Sequence, residues 1–361
     1  MNETNKGRDT AMHILHSDKH ALHVPGDVMR LGVYRPGRDL PERVDVLRKA
    51  ALAAGLTPAE AQDHGMAPIA AVHSPEYLDF LAVAHAEWSK LDGASEFVFA
   101  NIFPVRGMVG GYPTSIVGRA GYHMHDQLAP IGPGTFEAAV ASANLAAAAA
   151  DRILAGEAAV YALCRPSGHH AYGDMGGGAT YLNNAAIAAQ YLLRRLRRVA
   201  LIDIDVHHGN GTQGIFYHRA DVLFVSLHRD PTDYHPYFVG YGHERGADAG
   251  LGYTLNLPLP AGTGDEAYLS ALRTACSRIA AYAPDALVVS LGLDAHRDDP
   301  SLGLGLSHDG FARIGAALGG LGLPTALIQE GGYNVGIIGQ SLGAFLGGFT
   351  GAHSLSNRAG R

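Results

Sequence analysis

The sequence predicts an α/β fold, a single doubly wound and mostly parallel sheet flanked by helices, with long loops at its carboxyl edge. Short apolar runs rich in Val, Ile and Leu recur after residue 155, alanine-rich stretches separate several of them, and polar or glycine-rich turns close them. The runs at 158–164, 198–204, 222–227, 254–257, 286–291 and 325–329 lack in-and-out alternation, as expected of strands buried on both faces. The stretches 184–197 and 265–282 then read as crossover helices of βαβ units.

Upstream of these, 138–156 is a nearly unbroken alanine helix whose role is packing. The stretch 88–132 is richer in glycine, proline and aromatic residues than in helix signals. Ordered loops of that length usually serve as lids or subunit contacts. The apolar stretch 335–352 carries Gly336, Gly339, Gly343, Gly347, Gly348 and Gln340, so it reads as a buried helix rather than a membrane span. No repeat or linker marks a boundary, and residues 1–361 read as one domain with a core at about 13–346.

Composition narrows the function. With 47% hydrophobic and 17% charged residues, the chain can bury one large core. Its net charge of -7 gives no general attraction to phosphate backbones, and the basic run at 194–198 is a solvated helix end, so no nucleic-acid partner is expected. Cys164 and Cys276 form no CxxC pattern, which points to a reducing cytoplasm. Residues 1–10 are polar and lack the apolar core of a secretory signal. Twenty histidines invite a search for metal ligands and proton shuttles.

The most informative segment is 201–211, where an apolar strand runs into Asp203, Asp205, His207, His208 and Asn210. Period-two geometry puts Asp203, Asp205 and His207 on one face. Gathering such groups at a buried strand end is unfavourable without a cation. Carboxylate and imidazole together suit Zn²⁺, which in a catalytic site takes three protein ligands and keeps a position for water. Asp294, ending the run 286–291 and its turn, reads as the third ligand rather than as an N-cap of the next helix. His169 and His170, after a strand and a glycine, supply the base and acid that water attack on an amide needs. Tyr333, presented by Gly331 and Gly332, is placed to donate to a developing oxyanion.

The motifs RPSGHHA, NNAAIAA, DIDVHHGNGTQ, VSLH, SLGLD and EGGY occur here in the order found in the histone deacetylase superfamily, which has the arginase/deacetylase fold. The chain most resembles the bacterial acetylpolyamine amidohydrolases and class II-like deacetylases, including FPVR at 103–106 and PGTFEAA at 133–139. The resemblance implies zinc-dependent deacylation of a small acylated amine, acetylpolyamine or acetyl-lysine-like. Asp205, His207 and Asp294 would hold the zinc, for which iron or cobalt could substitute. His170 would be general base and acid and His169 its electrostatic partner, held by Asn210 and Asp203 respectively. Tyr333 would bind the oxyanion. A structural potassium site would use oxygens of Asp203, Asp205, His207, Ser226 and Leu227. The 88–132 excursion resembles a loop through which relatives pair, so a homo-oligomer, dimer or tetramer, is expected.

Two departures from the resembled pattern bear on substrate. Where relatives wall the channel with two aromatics, this sequence has Ala179, after Gly178, and His235, after Tyr234. Where polyamine-specific members place acidic residues at the entrance, alignment puts Val117 and Leu128. A neutral amide therefore stands as an alternative substrate. Two other readings of the fold are an arginase-like two-metal hydrolase, disfavoured by the scarcity of bridging carboxylates, and a silent acyl-ligand binding module, disfavoured by Tyr333.

Overall fold

The computed structural model describes residues 12–105, 107 and 110–359. The N-terminal segment 1–10 and Arg106 of the FPVR motif lie outside the described residues. The strands are β1 (His13–Leu15), β2 (Asp27–Arg30), β3 (Val33–Pro36), β4 (Thr57–Pro58), β5 (Ala159–Ala162), β6 (Val199–Asp203), β7 (Val222–Arg229), β8 (Thr254–Leu259), β9 (Ala286–Leu291) and β10 (Thr325–Gln329). The helices are α1 (Glu42–Ala53), α2 (Ala67–Ala70), α3 (Pro75–Trp88), α4 (Ile116–His123), α5 (Thr135–Leu154), α6 (Asn184–Leu192), α7 (Asn210–Phe216), α8 (Asp265–Tyr282), α9 (His308–Gly319) and α10 (Ile338–Ala359).

All six apolar runs form strands of one sheet, ordered β4-β1-β5-β10-β9-β6-β7-β8, in which every pairing is parallel. The sequence reading missed β1 and β4, which are too short to leave a periodic signal, and the antiparallel β2–β3 hairpin, whose pattern is polar. The hairpin turns through Leu31 and Gly32, both at positive φ, the backbone required by a two-residue turn with the twist of its strands.

Within the central strands, alternate residues enter opposite layers. Val160, Leu201, Val288 and Ile328 join a core with residues of α3, α5 and α6. Tyr161, Ile202, Val289 and Leu327 join a second core with residues of α1, α8, α9 and α10. Alanines make the first layer thin: α5 and α6 bury Ala143, Ala146, Ala147, Ala185 and Ala188. Small side chains let these two helices approach each other and the sheet. α6 starts sharply because the Asn183 side chain accepts the N–H of Ala186 at 2.9 Å. In the second layer, the glycine-rich stretch becomes α10, and a Cβ on Gly348 would collide with the Ala312 carbonyl of α9. Its glycines serve close helix packing, and no described helix is long and apolar enough to cross a membrane.

The 88–132 excursion contains α4, which the sequence reading did not anticipate; Ser115 caps it by accepting the Val117 N–H. The chain then returns through 124–134 to the carboxyl edge of the sheet, where His125 N–H bonds to Gly176 O at 2.9 Å.

Candidate active site

Four loops at the carboxyl edge follow β5, β10, β9 and β6, which are adjacent in the sheet. That adjacency brings residues from 165 to 334 to one place, as expected of ligand sites in open parallel sheets. Asp203 is the last residue of β6. Beyond it, Asp205 and His207 lie in a turn, so strand periodicity is not what aims them. The turn is fixed instead by side-chain acceptors: Asp203 takes the Asp205 N–H at 3.0 Å, Asp205 takes the His207 N–H at 2.9 Å, and Asp294 takes the Val206 N–H at 3.0 Å.

Asp205, His207 and Asp294 each offer one ligand atom, all within 4.8 Å of one another. His207 Nδ1 lies 3.0 Å from Asp205 Oδ1 and 3.4 Å from Asp294 Oδ2. Asp294 Oδ2 is buried and has no hydrogen-bond partner among the described residues. Burial and the neighbouring Asp205 charge push the Asp294 carboxyl up to about 7. Burial would lower His207, but Asp205 and Asp294 hold it up to about 9. Two buried carboxylates facing one imidazole form a donor set that fits a divalent cation. Asp294 caps no helix, since α9 begins at His308.

The tandem imidazoles stand beside this cluster with ring centroids 4.0 Å apart. His169 Nδ1 donates to Asp203 Oδ2 at 2.9 Å, and His170 Nδ1 donates to Asn210 Oδ1 at 2.6 Å. His169 Nε2 lies 3.8 Å from Asp205 Oδ1, and His170 lines the cavity; a carboxylate stabilises an imidazolium and an amide oxygen does so far less. Burial would lower His169, yet Asp205 and Asp203 raise it well above the ordinary histidine value. Burial and the His169 charge push His170 well below it.

Several residues beyond the site residues singled out from the sequence hold these groups. Glu330 Oε2 accepts the N–H of Gly168 at 2.7 Å and of His169 at 3.2 Å. Burial pushes the Glu330 carboxyl up to about 7. Asp299 Oδ2 accepts the N–H of Tyr333 at 2.7 Å and of Asn334 at 3.2 Å. Arg43 donates to Gly332 O at 2.5 Å and Glu330 O at 2.8 Å and lies over the Tyr333 ring at 5.1 Å. Its charge is balanced by Asp39, which also meets Arg165. Only the EGGY and RPSGHHA motifs hinted at this shell, through Glu330 and Arg165; Arg43, Asp39 and Asp299 gave no signal.

A cavity of about 960 Å³ is lined by His170, His207, Asn210, Tyr333, Gly178, Ala179, Tyr234 and His235, among others. Gly178 is required: a Cβ there would collide with the His170 ring. Ala179 lines the wall as a small residue at positive φ. Tyr234 stacks on His207, 5.2 Å between centroids, and donates to Ser301 O. His235 meets the His170 ring edge-on at 4.8 Å, and burial lowers its pKa. Leu128 lines the cavity, but Val117 does not: it sits in the first turn of α4, packed against the core. The alignment that puts Val117 at the entrance therefore does not match the cavity, because α4 packs that residue against the core. Asp126 lines the cavity. Ser226 stands opposite Asp203 in the β6–β7 register, with its hydroxyl on His228, and Leu227 follows it.

Residues 38–349 match the histone deacetylase domain family. An acetylpolyamine amidohydrolase from Burkholderia pseudomallei (strain 1710b) is 44% identical over 340 residues, spanning 92% of this chain and 97% of that protein. One from Mycoplana ramosa is 40% identical over 342 residues, spanning 94% of this chain and all (100%) of that protein. A crystal structure of the Burkholderia pseudomallei acetylpolyamine aminohydrolase superposes with a TM-score of 0.91 at 44% identity, covering 95% of this chain and 99% of that one. With its sheet, its edge-loop cluster and its similarity over nearly the full length, the chain belongs to the histone deacetylase family and is a hydrolase of that family.

Proposed function

We propose that the chain hydrolyses the acyl amide of a small acylated amine, with Asp205, His207 and Asp294 holding a zinc ion. The convergence of those three residues, of which His207 lines the cavity together with His170 and Tyr333, carries the reading. The chemistry that zinc supplies when bound is Lewis-acid activation of water and of the amide carbonyl. His170 Nε2 takes a proton from the attacking water, because Asn210 keeps the proton of that ring on Nδ1. The same nitrogen then returns the proton to the leaving amine as the C–N bond breaks, releasing a carboxylic acid and an amine. His169, paired with Asp203, provides positive charge beside the reacting carbon. The Tyr333 hydroxyl donates to the carbonyl oxygen as it gains charge. Iron or cobalt can take the place of zinc on the same ligands. Potassium is proposed beside them, on oxygens of Asp203, Asp205, His207, Ser226 and Leu227.

The relatives are named for acetylated polyamines, and an acetylated amine is the substrate class proposed here. One domain is proposed to carry the activity, in a homo-oligomer formed through the 88–132 excursion. The exposed apolar residues Ile102, Phe103 and Val105 favour such a contact. Light scattering reads the mass; a monomer overturns the oligomer. The free Cys164 and Cys276 fit a reducing compartment. The main test is amine release from acetylputrescine, an acetyl-lysine peptide and a neutral N-alkyl acetamide by zinc-loaded enzyme. Turnover of none of them overturns the hydrolase reading.

A further inference from the structure

The cavity wall also carries two arginines, Arg30 at the end of β2 and Arg38 just after the hairpin. Arg38 donates to Pro300 O at 2.8 Å. The Arg30 guanidinium is half-buried and has no hydrogen-bond or ion-pair partner among the described residues. Burial, and then the nearby charge of Arg38, lower its pKa, so the two cations repel each other across the opening.

Two carboxylates also line the cavity, and each has cationic or N–H partners, although Asp39 Oδ2 has no hydrogen-bond partner among the described residues. Asp39 is ion-paired with Arg43 and Arg165. Asp126 accepts the N–H of Gly178 and of Leu128, each at 2.8 Å, and lies 3.6 Å from both His125 and His235. A half-buried guanidinium without an anion is an unfavourable arrangement that a bound carboxylate would relieve. A polycation would meet repulsion at the same place.

We infer that the substrate carries a carboxylate on the portion running from the scissile amide to the cavity opening, and that Arg30, with Arg38, binds it. The inference rests on reading the cavity floor as an amide hydrolase site. It makes an acylated amino acid or acylated aminocarboxylate, rather than an acylated polyamine, the preferred class. Arg30 is then a specificity determinant that takes no part in the proton transfers.

The test uses three acetamides sharing a butylene spacer and differing in terminal charge: ω-acetamidopentanoate, acetylputrescine and N-pentylacetamide. For the wild-type zinc enzyme, kcat/KM for the carboxylate should exceed that for acetylputrescine by about tenfold or more, and salt should shrink the ratio. Arg30→Glu should invert it. Because a ratio is read on one preparation, partial loss of folded enzyme does not alter the reading. Preference of the wild type for acetylputrescine, or a ratio that Arg30→Glu leaves unchanged, overturns the inference while leaving the hydrolase reading intact. Absence of turnover for all three overturns both.

Discussion

Glu330 accepts the backbone N–H of His169 at 3.2 Å, so the residue just after β10 holds the turn that presents both imidazoles after β5. The two strands are neighbours in the sheet, and this bond ties their loops beneath the reacting groups. Glu330→Ala strands two buried N–H donors, each worth about 1–3 kcal/mol when unsatisfied. The expected outcome is a loss of about ten- to a hundredfold in kcat with lowered thermal stability, whereas Glu330→Gln keeps an acceptor and is milder. Steady-state kinetics on both variants checks this; equal effects would count against the acceptor role.

Tyr333 is fixed by Asp299 on its backbone and by Arg43 over its ring. Tyr333→Phe removes only the hydroxyl. It should lower kcat about 10²- to 10³-fold, the range for loss of one oxyanion donor, with zinc content and melting temperature unchanged. Undiminished turnover would remove Tyr333 from the mechanism.

Asp294 Oδ2 is the unpartnered buried oxygen of the three-ligand cluster. Asp294→Ala should abolish zinc binding and activity together, read by elemental analysis alongside the assay. Chelation of the wild type should likewise abolish activity, and added zinc should restore it. Full zinc occupancy in Asp294→Ala would contradict the ligand set.

Burial lowers His23, His73 and His228 to about 4 in the folded chain. Each is therefore neutral when folded, and below its unfolded value of about 6.5 the unfolded chain binds more protons. Stability should be fully present above about pH 6.5 and fall as pH drops toward 4, by about 1.4 kcal/mol per pH unit for each residue inside that window. Urea unfolding at stepped pH measures the slope. His73 Nε2 accepts the Asn183 N–H at 2.9 Å, so His73→Gln, which retains an acceptor without a titrating ring, should reduce the slope. An unchanged slope would dismiss His73 as a contributor.

The sheet and the residues gathered at its carboxyl edge were legible because their signals are local. Unbroken apolar runs announce strands buried on both faces, and Asp203, Asp205, His207, Asp294, His169, His170 and Tyr333 each stand within a few residues of such a run. β1 and β4 were not legible, since strands of three and two residues have too little length to show a pattern.

By itself, then, the sequence determined the fold class, the order of the edge loops and the residue types able to bind a cation and move a proton. Only the tertiary structure decided which strands became neighbours, and with that the pairing of Glu330 with His169, Asp299 with Tyr333 and Asp126 with Gly178. It also packed Val117 against the core and set Arg30 on the cavity wall. Those relations join residues from about thirty to more than a hundred and sixty positions apart. No local pattern encodes them, because such contacts depend on the closure of the whole sheet and its covering helices.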